Sequence, residues 1–142
     1  QIGEWSFLEI DDEEMVDTLR RGVFSKSELV RIYYGTLRIG FNLKETREGW
    51  LAMSGDTLVA KLPPVKLLDD NFIDEARTRS FIASGKWTHA DRQAMYDRAY
   101  VMMKKRCLTP VNYQTARRNA KQQFKDMFKT MGFTNVRIEF ED

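Results

Sequence analysis

One cysteine and one histidine are all that this 142-residue chain holds of the two residue types that most often ligate transition metals. A zinc site needs several such ligands or clustered carboxylates, so no metal ligand is assigned. The lone thiol, Cys107, excludes an internal disulfide and leaves the redox compartment open. With only three prolines the chain lacks the regular spacing of a polyproline ligand, and no low-complexity stretch or internal repeat occurs. No apolar run approaches the roughly 20 residues that a membrane-crossing helix requires, and no signal-peptide pattern is present. The formal net charge is only +2, which neither demands nucleic acid nor indicates disorder.

What is present suits a single globular domain spanning residues 1–142, because 42% hydrophobic content at this length supports one core and not two. The charges are unevenly distributed. Residues 1–20 hold seven acids against Arg20, a local charge of −6, and residues 86–131 hold eleven Lys or Arg against three Asp, a local charge of +8. Two electrostatic poles are therefore expected. The chain begins at Gln1 instead of Met, which suggests a processed or trimmed protein with an anchor or export signal before Gln1.

Hydrophobic periodicity predicts the elements. "EWSFLEI" alternates as a short strand, and "DDEEMVDTLRRG" has the acidic start and terminal glycine of a short helix. A strand-rich part follows over residues 28–62. Within it "ELVRIYYGTLRIGFNL" alternates as a long strand in which Gly35 and Gly40 mark bulges or bends, and Ser54-Gly55-Asp56 joins two apolar runs as a hairpin. Pro63 and Pro64 end the last strand, since neither can donate a ladder hydrogen bond. Residues 63–87 read as a connector whose Phe72, Ile73, Phe81 and Ile82 tuck inward.

A helical pair is predicted over 88–131. Thr88 with Asp91 makes a capping-box start, and Tyr96, Ala99, Tyr100, Met103 and Cys107 share one face of the first helix. Pro110 opens the second, whose stripe is Tyr113, Ala116, Ala120, Phe124, Met127 and Met131, with Gly132 as the stop. A final strand lies over 133–140, with Val136, Ile138 and Phe140 on one face. The expected fold class is α+β: a mainly antiparallel sheet covered by a C-terminal helical pair, with a final strand.

No residue is assigned a catalytic or cofactor-binding role, and no cofactor is expected. Cys107 on an apolar helix face reads as a small buried hydrophobe. His89 follows a helix cap with no nucleophile fixed beside it, so a solvent-facing role is favoured over general base. The pairs Asp69-Asp70 and Asp74-Glu75 read as solvated loop charges. Gly35 and Gly40 have the spacing of a phosphate loop, but Phe41-Asn42 stands where lysine and a hydroxyl residue are required. The methionines at helical spacing read as core filler.

The candidate interaction surface is Arg117, Lys121, Lys125 and Lys129, four residues apart along one helical edge, with Arg118 beside them. A solvated face opposite the apolar stripe is the simplest reading. The sharper one is contact with a protein partner or a membrane surface, and nucleic acid is disfavoured because the aromatics of that helix lie on its inward stripe.

The run "GTLRIGFNL", then "LVAKLPPVKLL", the alanine-punctuated helix from Ala116 to Phe128 and "GFTNVRIEF" together resemble the bacterial domain-of-unknown-function family DUF4230, over roughly Leu29 to Phe140. The chain departs from the family pattern at Phe41-Asn42 and at its adjacent Pro63-Pro64. Family members often carry an N-terminal membrane-spanning or export segment. The resemblance therefore implies an extracytoplasmic domain of the periplasm or cell envelope, anchored by a segment before Gln1, with the cytoplasm as the other compartment to consider. The expected function is a non-catalytic binding or structural module at the bacterial envelope. The alternative is a small hydrolase or ligand-binding domain with a site near the loop from Pro63 to Glu75.

Overall fold

A computed structural model describes residues 3–142. In chain order the elements are β1 (Glu4–Arg21), β2 (Lys26–Asn42), β3 (Leu51–Ser54), β4 (Thr57–Leu62), β5 (Lys66–Leu67), β6 (Arg79–Ala83), α1 (His89–Cys107), α2 (Pro110–Thr130) and β7 (Asn135–Phe140), with short 3-10 turns at Leu43–Glu45 and Glu75–Arg77. The fold is α+β, with mainly antiparallel sheets, two helices late in the chain and a last strand. The backbone groups into two compact units, one of Gln1–Glu9, Arg38–Asp70 and Pro110–Asp142, the other of Ile10–Leu37 and Asn71–Thr109.

In the first unit, β3 pairs antiparallel with β4, and β7 pairs parallel with β4 along its full length, from Thr57 opposite Asn135 to Leu62 opposite Phe140. The hairpin at Ser54-Gly55-Asp56 follows the sequence pattern, the final strand begins at Asn135, two residues later than expected, and ends at Phe140 as expected, and β4 ends at Leu62 where the proline pair begins. Beside the proline pair, β5 pairs with the end of β2, Ile39 opposite Leu67. The inward side of α2 is Ala116, Ala120, Phe124 and Phe128. The two alanines let the helix approach closely, and Phe124 enters an aromatic cluster with Trp5, Phe7 and Phe41 at ring-centroid distances of 4.9, 6.1 and 5.8 Å.

Two sequence expectations need correction in this unit. Phe128 is buried and Met131 is 65% exposed, because the helix stops at Thr130 and Met131 lies past its end. Gly132, at φ +109, reverses the chain there, with Phe133 N–H donating back to the Phe128 carbonyl at 3.1 Å. Gly40 marks close approach and not a bend: a Cβ there would collide with the Trp5 carbonyl and lie 3.0 Å from Ser6 Cα.

In the second unit, Gly22 N–H donates to Ser25 O at 2.7 Å and closes the turn between β1 and β2. Antiparallel β6 flanks β2 with a register shift between Val30 and Arg31. The expected short helix over residues 11–22 does not form; those residues extend β1 to Arg21. Their burial alternates with period two, Glu14 and Val16 inward against Glu13, Met15 and Asp17 outward. The pattern was hidden in the sequence because an inward position holds a carboxylate. Arg106 of α1 makes that position tenable, its Nε donating to Glu14 Oε2 at 2.6 Å. One acid of the N-terminal run and one base of the later run thus meet at this pair.

Thr88 caps α1 as read from sequence: its hydroxyl accepts from Asp91 N–H at 3.1 Å while its own N–H donates to the Asp91 carboxylate at 2.9 Å. Met95, Ala99, Met103 and Cys107 form the buried face, and Tyr96 and Tyr100 are half-buried beside it. Phe72 and Ile73 are buried, with Phe72 stacked on Tyr100 at 4.6 Å. Phe81 and Ile82 do not tuck inward; they are exposed on the short flanking strand β6, which has too few neighbours to cover them. Gly35 also marks close approach, since a Cβ there would sit 2.9 Å from Met103 Sδ and 3.0 Å from the Phe72 carbonyl.

Candidate functional site

The buried row of Ala116, Ala120, Phe124 and Phe128 sets the roll of α2 about its axis. One residue further on each time, Arg117, Lys121, Lys125 and Lys129 fall about 100° round the helix and are exposed, as is Arg118. What the sequence could not place is the strand that this edge overlooks. Arg118, Lys121, Gln122 and Lys125 face Val136, Arg137 and Ile138 of β7 across a groove of about 380 Å³. Arg117, Arg118 and Lys121 continue into a second groove bounded by Phe140. Arg118 and Lys121 belong to both, and Lys129 belongs to neither. It sits in the last turn of α2, where a cation complements the partial negative charge of the helix end.

No carboxylate lines either groove. Two acids stand next to lining residues in sequence: Asp126 accepts from Gln122 Nε2 at 2.8 Å, and Glu139 holds Arg137 at 3.5 Å and moderates that charge. The remaining cations repel one another weakly in solvent and favour an anionic occupant.

The strand completes the geometry. Among the described residues β7 is the last strand in its sheet, whose order is β3-β4-β7. Glu141 N–H donates to Leu62 O at 2.8 Å, so the odd-numbered amides turn toward β4. By the two-residue alternation of a strand, the amides of Val136, Ile138 and Phe140 turn toward the open edge. An open backbone edge thus runs beside a row of cations.

The loop from Pro63 to Glu75 arranges its groups differently. Pro63, Pro64 and Lys66 line a cleft with Glu45, Arg47, Glu141 and Asp142. Its charges are largely matched, Lys66 to Glu45 at 2.8 Å and Arg47 to Glu141 at 3.8 Å. Asp69, Asp70 and Asp74 are exposed, and Glu75 lines a cavity in the other unit.

In the second unit a carboxylate pair surrounds Arg106. Glu14 is 2% exposed, and burial would raise its pKa, but the hydrogen bond and charge of Arg106 together with Asp12 outweigh this and hold it below the usual value. Asp12, whose Oδ1 is 3.7 Å from Arg106 Nε, is pushed up to about 6 by burial and by the hydrogen bond and charge of Glu14. Burial and the two carboxylates also push the Cys107 thiol up to about 11, which removes thiolate reactivity at neutral pH. The cluster is a structural ion pair inside the unit, and sequence reading missed it because β1 was taken as helix beyond Ile10. His89 is exposed at the start of α1, on the rim of the same cavity as Glu75.

No group of three or more His, Cys, Asp or Glu among the described residues is placed to hold a metal ion, and no helix is long and apolar enough to cross a membrane. The architecture is α+β, and in its first unit a cationic groove runs between a helix and a sheet edge. The chain belongs to the family described as "Protein of unknown function (DUF4230)", whose profile matches residues 1–138. No curated protein and no solved structure matches it.

Proposed function

We propose that this chain is a non-catalytic protein-binding module of the bacterial envelope, and that it binds an extended acidic segment of a partner along β7. The carrying observation is the coincidence of an open strand edge with Arg118, Lys121 and Lys125 across one groove. A strand added to such an edge gains main-chain hydrogen bonds that are indifferent to sequence. Selectivity then comes from the cations of α2, which reward carboxylates on the added strand and speed encounter at low salt. The envelope placement is supported by the resemblance of the sequence to a family whose members often carry a membrane-spanning or export segment.

The test is binding of a labelled peptide of alternating valine and glutamate, followed by fluorescence anisotropy and by hydrogen exchange. The expected result is salt-sensitive binding, loss of binding in Arg118→Glu/Lys121→Glu, and slowed exchange at the amides of Val136, Ile138 and Phe140. Equal binding by the parent and the variant, or unchanged exchange along β7, overturns the reading. Binding to anionic lipid vesicles without binding to the peptide transfers the surface to a membrane role.

A further inference from the structure

The turn that joins β1 to β2 carries the two most exposed large apolar side chains among the described residues, Val23 at 90% and Phe24 at 99%. Residues 19–26 are exposed throughout, so this end of the hairpin stands clear of the core of its unit. The Gly22 N–H bond to Ser25 O leaves Val23 and Phe24 as the two central residues of the loop. Two-residue loops usually place Asn, Asp or Gly there, residues that suit both the turn backbone and water. A β-branched and an aromatic residue oppose both preferences. Departures of this kind belong to functional sites, and since neither side chain packs inside the fold, the gain lies outside the protein.

The charge around the tip points to what covers it. Arg21 and Lys26 flank the loop on its two strands, and residues 18–27 contain no acid. Ser84 N–H donates to Glu28 O at 2.9 Å, and the antiparallel course of β6 beside β2 carries the chain onward toward Lys26, bringing Lys86 to the same end. Arg20 Nη1 donates to the Lys86 carbonyl at 3.4 Å, which holds that segment against β1. Arg21, Lys26 and Lys86 are exposed, and among the described residues no ion pair engages them. Arg20, by contrast, is bound to Asp91 at 2.9 Å and stacks on Trp87 at 4.6 Å, bracing the hairpin against the segment that leads into α1.

A two-residue apolar tip is too small for a stable protein interface, which buries about 1,200–2,000 Å². A bilayer needs no matching pocket. Its interface accepts apolar side chains while anionic headgroups attract the cations around them.

We propose that this hairpin tip docks the protein on an anionic lipid bilayer. Val23 and Phe24 enter the boundary between headgroups and acyl chains, and Arg21, Lys26 and Lys86 meet the lipid phosphates. Two apolar side chains and three cations give reversible docking and not permanent insertion. The inference does not depend on the groove beside β7.

The experiment is cosedimentation of the whole chain with vesicles of phosphatidylcholine, with and without phosphatidylglycerol. Binding is expected only where phosphatidylglycerol is present, and it should weaken as salt is raised. Phe24→Ser removes the apolar tip and should weaken binding about tenfold, and Arg21→Gln/Lys26→Gln should do so by a similar factor. All three residues are exposed, so the thermal stability of both variants should equal the parent's. Val23→Cys, labelled with an environment-sensitive fluorophore, reads the position of the tip directly, because Cys107 is buried and does not compete for the label. Its emission should shift to the blue on the anionic vesicles. Arg118→Glu/Lys121→Glu should bind vesicles as the parent does, which separates the tip from the groove. The proposal is overturned if the parent fails to bind anionic vesicles, binds neutral ones equally, or binds no better than Phe24→Ser. Loss of vesicle binding in the groove variant alone overturns it as well. Self-association that Phe24→Ser abolishes, without vesicle binding, also overturns it and assigns the tip to contact with a second copy.

Discussion

The carboxylate pair on β1 offers a stability prediction with a definite sign. In Asp12→Asn the side chain keeps its shape and loses its charge, and Arg106 keeps Glu14 as its partner at 2.6 Å. The Asp12 carboxyl has a pKa of about 6 in the folded protein against an ordinary 3.8. Because the folded state holds this proton more tightly than the unfolded chain, Asp12 opposes folding progressively as the pH rises through that interval. The opposition is complete above about pH 6 and absent below about pH 4. At about 1.4 kcal/mol per pH unit, the gap between 3.8 and about 6 sets a ceiling near 3 kcal/mol. Glu14 titrates in the opposite sense: its lowered pKa contributes stability above its ordinary 4.5, lost as the pH falls. The two carboxylates share Arg106, itself 63% exposed and partly screened, so the net gain in the variant is about 1–2 kcal/mol. Urea unfolding of both proteins across about pH 3.5–7.5 provides the assay. Asp12→Asn should be the more stable at the upper end, with the difference shrinking toward zero at the lower end. A variant less stable than the parent at neutral pH, or a difference that does not change with pH, refutes the reasoning.

Two further predictions concern the backbone. Gly40→Ala places a methyl group against the Trp5 carbonyl of the neighbouring strand, where no side-chain rotation relieves it, and should lower stability by about 3 kcal/mol, read from the urea midpoint; a loss under about 1 kcal/mol would mean that the strands separate easily. Thr88→Ala removes the hydroxyl half of the capping box and should lower stability by about 1 kcal/mol, with faster hydrogen exchange confined to the first turn of α1; Thr88→Ser should restore both.

Much of the fold was legible because it repeats locally. Thr88 and Asp91 bond to each other three residues apart, and the alternation of β4 needs no distant partner to be read. The residues over 11–21 read as helix from their acidic start and terminal glycine, because Asp12 and Glu14 at inward positions interrupt the apolar alternation that marks a strand. Only Arg106, far along the chain, makes Glu14 at 2% exposure tenable. Phe81 and Ile82 misled in the opposite direction: apolar character predicted burial, and a short flanking strand left them exposed.

The candidate surfaces divide along the same line. By itself the sequence determined that Arg117, Lys121, Lys125 and Lys129 share one edge of α2, since the 3.6-residue period and the apolar stripe locate an outward face without knowledge of anything else. Only the tertiary structure decided that β7 returns parallel to β4 beside that edge, which separates Lys129 from the groove and brings Arg137 near it. The cations around Val23 and Phe24 likewise come together only once β6 runs antiparallel to β2 and carries Lys86 toward Lys26. The physical reason is range. Periodicity and capping act over a few residues and are written into neighbouring positions, whereas strand pairing and cavity walls join residues whose proximity depends on the folding of the chain between them.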